Sequence, residues 1–308
     1  MIKIVFFGTP SIALPSLEYL NSLKDVEILA VVTQPDKPVG RGHKVKFPPL
    51  KEFAIKNDIP VFQPKSIRKE SDIIKSLKSL SPDFFVTFAF GQILSQEVLD
   101  IPKFETINLH ASLLPKYRGA NPIQRAIING DKQTGICTMI TELGLDSGDI
   151  CIKLPIKIND DMTCVDLYNV ISKESPKLIY KTLIGLMDKS IKPMAQGESG
   201  ITQAPKLTKE ETLINWKKSA HDIHNLVRGI YTMPSAYFTH NGKIIKVLKT
   251  QILENDIAHN NSGNFGNISK EGIEVLCGRG SILLITVKPE GKGEMPATAW
   301  FNGIKNRG

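Results

Sequence analysis

The chain has 308 residues, 41% hydrophobic and 23% charged, with 39 Lys+Arg against 31 Asp+Glu for a formal net charge of +8. This length favours two domains, each able to hold a core without disulfides or structural metal. The composition excludes low-complexity and disordered classes, and no apolar run reaches the roughly 18 residues that read as a bilayer span.

Cys137, Cys151, Cys164 and Cys277 stand singly, without a C-x-x-C pair, so neither a zinc ribbon nor a thioredoxin-type motif is present. A reduced, cytoplasmic setting is expected. Residues 1–205 hold 25 Lys+Arg against 22 Asp+Glu, and residues 206–308 hold 14 against 9. The smaller C-terminal part is the more basic, which suits either a polyanionic partner or a solvated lysine-rich surface.

Ile2–Phe7 is a β-rich run, Gly8-Thr-Pro10 turns it into a helix over Ser11–Leu20, and Ile28–Thr33 is a second strand. This is βαβ, the unit of a parallel sheet. The first turn lacks G-x-G-x-x-G, which argues against a nicotinamide or flavin dinucleotide. Gln34–Pro49 is rich in Pro and Gly and reads as a loop, with Lys37, Arg41, His43, Lys44 and Lys46 against Asp36 alone. Loops of that length in compact domains are more often functional than accidental. Helices are expected at Leu50–Asn57 and Glu70–Leu80, with Val61-Phe62 between them. Phe84–Phe90 is almost continuously apolar, as a central strand buried on both faces must be. Gly91 ends it.

Phe104–His110 alternates, so Asn108 and His110 project to one side of a strand end. Leu114-Pro115 and Gly119 break regular structure, and a helix from Pro122 stops at Asn129-Gly130. Ile136–Thr141 is another strand, closing in the glycine-punctuated turn Glu142–Asp149. A strand over 151–158 and a helix over Met162–Met187, broken near Pro176, complete the first part. Residues 188–207 read as a linker. Ser219–Gly229 is a helix with Ser219 and Asp222 spaced as a capping pair. Five short strands follow, at Ser235–Thr239, Lys243–Thr250, Gly263–Ser269, Gly272–Cys277 and Ser281–Val287, and suggest a small closed or half-closed barrel.

Asn108, His110 and Asp146 thus meet at one sheet edge as an amide, an imidazole and a carboxylate. The set suits acyl transfer to an amine: Asn108 and a protonated His110 would donate to a developing oxyanion, and Asp146 would favour the imidazolium and take the amine's proton. Each residue also has a structural alternative, as a satisfied histidine, a turn cap and an Asx-turn. Zinc is the rival functional reading, but catalytic zinc needs three protein ligands and no third clustered His or Cys is visible.

The runs Asn108-Leu-His110, Ser112–Gly119 with Ala120–Gln124, and Gly144–Asp149 resemble the core of the folate-dependent formyltransferases. Phe6–Pro10, Thr33–Gly42, Val61–Pro64 and Lys206–Glu211 with Asn215-Trp216 extend the likeness over essentially the whole chain and favour the tRNA-modifying branch. The resemblance implies a Rossmann-like, mostly parallel α/β sheet over 1–190, a linker over 191–207 and an OB-like β-barrel over 208–308 that binds tRNA. It implies formyl transfer from 10-formyltetrahydrofolate to the amino group of methionine on initiator methionyl-tRNA, with no metal, no membrane and a monomeric chain. Asn108, His110 and Asp146 match its catalytic positions. Phe88, Phe90, Gly91, Ile93, Leu94, Ser112, Leu113, Leu114, Pro115, Leu143 and Gly144 match its folate walls. Lys37, Arg41, His43, Lys44, Lys46 and Lys206 match its tRNA contacts. Phe88-Ala-Phe90 departs from the usual small residue and tyrosine, which bears on the polarity of the pterin pocket, and Ile230–Pro234 lacks a following tryptophan. A formyltransferase acting on a small amine and a non-catalytic RNA-binding protein are the alternatives. The basic loop argues against the first.

Overall fold

The computed structural model describes residues 1–39, 44–232 and 234–305. The chain divides into two compact units: Met1–Pro122, Thr134–Ile156 and Tyr168–Ala204 form the first, and Ile123–Gln133, Lys157–Leu167 and Pro205–Gly308 the second. In chain order the elements are β1 (Ile2–Gly8), α1 (Leu14–Ser22), β2 (Val26–Val32), β3 (Lys37–Val39), β4 (Lys44–Lys46), α2 (Pro49–Lys56), β5 (Val61–Phe62), α3 (Ser71–Ser79), β6 (Phe84–Phe88), α4 (Gln96–Leu99) and β7 (Glu105–His110). They continue with α5 (Pro122–Ile128), β8 (Gln133–Ile140), β9 (Ile150–Lys157), α6 (Cys164–Met187), α7 (Ala220–Gly229), β10 (Ala236–His240), β11 (Lys243–Ala258), β12 (Phe265–Ile268), β13 (Ile273–Leu276), β14 (Arg279–Pro289), β15 (Met295–Pro296) and α8 (Ala297–Lys305).

The first unit is built on a sheet of order β5-β2-β1-β6-β7-β8-β9. Pairing is parallel from β5 to β7 and antiparallel between β7 and β8, which is the mostly parallel, Rossmann-like sheet expected. β1 and β6 lie in the middle and are buried on both faces, as their apolar runs require. Val5, Phe7, Ala30, Val32 and Phe85 pack under Ile74 and Leu77 of α3 to make one core. Chain order reverses between β1 and β6, so the C-terminal edge at that point is where an open α/β sheet forms a crevice.

Just past β1, the N–H of Ile12 donates to the Tyr168 hydroxyl at 2.5 Å, and Ser11 Oγ lies 2.9 Å from the same oxygen. Dinucleotide-binding domains hold a pyrophosphate at that helix start. Here a phenol from α6 fills the position.

Two expectations about the first unit are modified. Part of the Gln34–Pro49 loop is a hairpin, β3 pairing with β4 as Lys37 with Lys46, Pro38 with Val45 and Val39 with Lys44. The expected break at Pro176 is absent: α6 runs unbroken for 24 residues with the proline inside. Buried Ile171, Leu178, Ile179 and Leu183 hold it against the core, which offsets the one hydrogen bond a proline forfeits.

In the second unit, α7 starts on the expected capping box, Ser219 Oγ accepting from Asp222 N at 3.1 Å while the Asp222 carboxylate accepts from Ser219 N at 3.3 Å. The strands form an antiparallel sheet of order β10-β11-β14-β13-β12, with β15 beside β14. β10 and β12 do not pair among the described residues, so of the closed or half-closed barrel expected, closure is not found. Register shifts in β11 at Val247/Lys249 and Leu253/Ala258 bend that long strand. Its inner face packs with Phe238, Trp216 and Trp300 of α8.

Candidate active site

The site is built on the end of β7. Asn108 pairs with Thr87 of β6 in register, and the Thr87 hydroxyl donates to Asn108 Oδ1 at 2.9 Å. With its oxygen so engaged, the amide of Asn108 has its N–H₂ as the group that can donate. Two residues on, the His110 ring is 6% exposed. Its Nε2 lies 2.8 Å from the Tyr117 carbonyl, an oxygen that can only accept, so Nε2 carries a proton. Nδ1 faces Asp146 Oδ1 at 3.6 Å. Protonation of Nδ1 makes that approach an ion pair.

Asp146 is held by backbone. Its Oδ2 accepts from the N–H of Gly119 at 2.7 Å, and its carbonyl accepts from Gln196 Nε2 at 2.9 Å. The geometry demands unusual conformations on three loops: Ala89 (φ 52°), Tyr117 (φ 62°) and Asp146 (φ 49°) are all left-handed without being glycine. Such residues cost about 1–3 kcal/mol each and persist where surrounding bonds over-determine them. Gly119, at φ 119°, could not be otherwise, because a Cβ there would stand 2.9 Å from the Ala204 carbonyl oxygen. A Cβ on Gly148 would meet the Ile140 carbonyl at 2.1 Å, so the acidic turn also closes only on glycine.

Of the three catalytic residues expected from the sequence, His110 and Asp146 face each other at 3.6 Å, and Asn108 stands two residues before His110 on the same strand. The expected folate contacts separate into two groups. Phe88, Phe90, Leu94, Ser112 and Leu114 are buried, whereas Gly91, Ile93, Leu113, Pro115, Leu143 and Gly144 keep accessible surface. Phe90 turns into the core, edge-on to Phe7 at 5.3 Å, so the Phe88-Ala-Phe90 departure acts on core packing. Ser112 Oγ donates to the Lys116 carbonyl at 2.6 Å and holds the loop. Ile93 is 63% exposed and Leu143 62%.

Of the expected tRNA contacts, Lys37 and Lys46 are exposed and directly opposed across the β3–β4 hairpin. Like charges so placed are unfavourable until a polyanion lies over them. Lys44 pairs through its backbone in β4, and Lys206 is exposed in the second unit. Arg41 and His43 lie outside the described residues. The base of the hairpin is clamped by Lys51, whose ammonium donates to Asp36 Oδ2 at 2.6 Å and Gln63 Oε1 at 2.7 Å and sits 4.1 Å from the Phe47 ring centroid. Bonding to Lys51, then to Gln63, holds the Asp36 carboxyl below its usual pKa.

Thr87, Gln196, Lys51 and Gln63 were not singled out from the sequence. Their bonds join distant stretches, and a strand threonine or a lone glutamine carries no local pattern. The four cysteines are free, and burial pushes their thiols up to about 11 for Cys137 and Cys164 and about 12 for Cys151 and Cys277, which makes them poor nucleophiles. Among the described residues no group of three His, Cys, Asp or Glu is placed to hold a metal ion, and no helix is long and apolar enough to cross a membrane.

The chain is 46% identical over 291 residues to a methionyl-tRNA formyltransferase of Clostridium botulinum, covering 94% of this chain and 93% of that one. It is 44% identical over 303 residues to that of Acetivibrio thermocellus, covering 98% and 97%. Among solved structures, an N-formyltransferase from Helicobacter canadensis in complex with folinic acid and dTDP-3-aminofucose superposes with a TM-score of 0.70 at 24% identity, covering 92% of this chain and 99% of that one. HypX from Aquifex aeolicus in complex with tetrahydrofolic acid gives 0.62 at 14% identity, covering 97% of this chain and 46% of that one. At those identities the structures speak for the fold. Family models described as formyl transferase and formyl transferase, C-terminal domain, match residues 2–183 and 206–305, and the chain belongs to the formyl transferase family.

Proposed function

We propose that this chain transfers the formyl group of 10-formyltetrahydrofolate to the α-amino group of methionine on initiator methionyl-tRNA. The observation that carries the reading is the Asn108–His110–Asp146 constellation at the sheet edge, in a chain 42–46% identical over nearly its whole length to methionyl-tRNA formyltransferases. The exposed aliphatics Ile93 and Leu143, with the backbone at Gly91 and Gly144, fit the apolar face of a folate. That co-substrate supplies the formyl carbon. Asn108, its amide oxygen fixed by Thr87, donates from Nδ2 to the negative charge that develops as the amine attacks. His110 completes the site, its Nε2 held by the Tyr117 carbonyl and its Nδ1 facing Asp146. Asp146 takes the proton shed by the amine, directly or through water, and the bond between the formyl carbon and folate N10 then breaks, N10 taking up a proton so that tetrahydrofolate leaves.

The exposed lysines of the β3–β4 hairpin, together with Arg41 and His43, are assigned to tRNA phosphates. So is Lys206, with the row in which Lys246 opposes Lys288 across β11 and β14. The chain is taken to act as a cytoplasmic monomer, with residues 208–308 as its second tRNA-binding part.

The test is transfer of labelled formyl from the folate to methionyl-tRNA by the purified protein. Asn108→Ala should lower turnover by about 10²–10³ while tRNA binding, read by filter retention, is kept. Full turnover in that variant would return the trio to a structural role.

A further inference from the structure

Gln196 lies in the stretch that reads as a linker, yet its side-chain amide is the most fully engaged polar group near the site. Oε1 accepts from Arg118 Nε at 3.1 Å and from Arg118 Nη2 at 2.8 Å. Nε2 donates to the carbonyl of Asp146 at 2.9 Å and to that of Gly148 at 2.8 Å. The chemistry is unambiguous at both ends, because a guanidinium only donates and a carbonyl only accepts. No other side chain of that length can do both. A glutamate would keep Arg118 but present lone pairs to two carbonyl oxygens, and a methionine would serve neither.

The residue so gripped is itself in a left-handed backbone conformation. Asp146 sits at φ 49°, and from there its carboxylate reaches both the Gly119 N–H at 2.7 Å and the vicinity of His110 Nδ1 at 3.6 Å. Gly119 belongs to the same loop as Arg118. The amide of Gln196 therefore ties the acidic turn to the 112–119 loop across its full width. The segment is itself fastened: Ile150 and Met194 exchange backbone bonds at 2.8 and 2.9 Å, and Arg118 and Thr202 pair at 2.9 Å.

The geometry points to Gln196 as a positioning residue for the transfer reaction, one that holds Asp146 in register with His110 and touches neither substrate. This rests on the assignment of Asp146 above. Its loss lowers turnover without changing how tightly either substrate binds, and the loss is felt only through Asp146.

The experiment is steady-state formylation of methionyl-tRNA by the wild-type chain, Gln196→Glu, Asp146→Asn and the double variant. Gln196→Glu should reduce kcat roughly 25-fold, the factor for one neutral hydrogen bond taken twice, with KM for tRNA and folate within about two-fold. In the Asp146→Asn background the same change should cost less than about two-fold. An equal factor in both backgrounds, or a raised KM at constant kcat, would overturn the inference while leaving the site standing. Wild-type turnover in Asp146→Asn would remove the site assignment and the inference with it. Melting curves accompany each variant, and Gln196→Met, uncharged and of similar length, takes the place of a Gln196→Glu chain that fails to fold.

Discussion

At the scale of single residues, the site rests on orientation more than on identity. An asparagine amide can face either way, and here its oxygen faces the Thr87 hydroxyl, which donates to it at 2.9 Å. Thr87→Val keeps the shape of the side chain and removes that donor. One neutral hydrogen bond contributes about 1 kcal/mol, so turnover should fall roughly five-fold with both KM values unchanged, as initial-rate measurements would read. A variant with wild-type kcat would mean that the amide is held by something else. Asn108, His110 and Asp146 were legible in the sequence because strand alternation and glycine-bounded turns are local patterns. Thr87 and Gln196 were not, since their bonds span 21 and 50 residues and leave no trace in either neighbourhood.

At the scale of elements, the basic segment is more ordered than its proline and glycine content implies. Those residues were read as irregular chain, but Pro38 stands in a two-stranded ribbon whose register is set by only three residue pairs. So short a hairpin is marginal by itself. Its stability comes from below, where Lys51 joins Asp36 on the incoming side to Phe47 on the outgoing side. Gln63 reinforces the clamp by donating to the Gln34 carbonyl at 2.9 Å and Asp36 Oδ1 at 2.8 Å, and Gln34 in turn donates to the Phe90 carbonyl at 3.0 Å. Lys51→Met removes the charge and keeps the stem. KM for tRNA should then rise several-fold, in proportion to the lost hydrogen bonds, while kcat at saturating tRNA holds. An unchanged KM would show that the hairpin needs no such base. The continuous helix through Pro176 is the complementary lesson: local propensity announced a break, and packing of the buried face prevailed.

At the scale of the molecule, each unit carries its own core, and the second has its own sensitivity to acid. His224 on α7 is buried, with Nδ1 2.9 Å from Thr250 Oγ1. Desolvation lowers its pKa below the ordinary imidazole value, against the raising effect of the Asp160 carbonyl. The native state therefore resists a proton that the unfolded chain accepts. The stability so contributed is complete above the unfolded value of about 6.5 and is lost as pH falls from there towards the lowered folded value. Melting temperatures should decline across that window, and His224→Gln should flatten the decline. An identical slope in the variant would assign it to other groups. The division into an α/β part and a later β part was visible in the change of texture after residue 207. What no pattern in the chain announced is that Ile123–Gln133 and Lys157–Leu167 belong with the later part, because membership of a core is a property of long-range packing.

The buried thiols have a practical meaning beyond their poor reactivity. Cys137, Cys164 and Cys277 are enclosed, Cys151 is half-buried, and all four hold their protons far above neutral pH. Thiol-directed dyes attack the thiolate, so the native chain presents them with a nearly silent background. A single cysteine engineered at exposed Lys37 or Lys46 would react far faster than these four, and a fluorophore placed there would report the arrival of an RNA in real time.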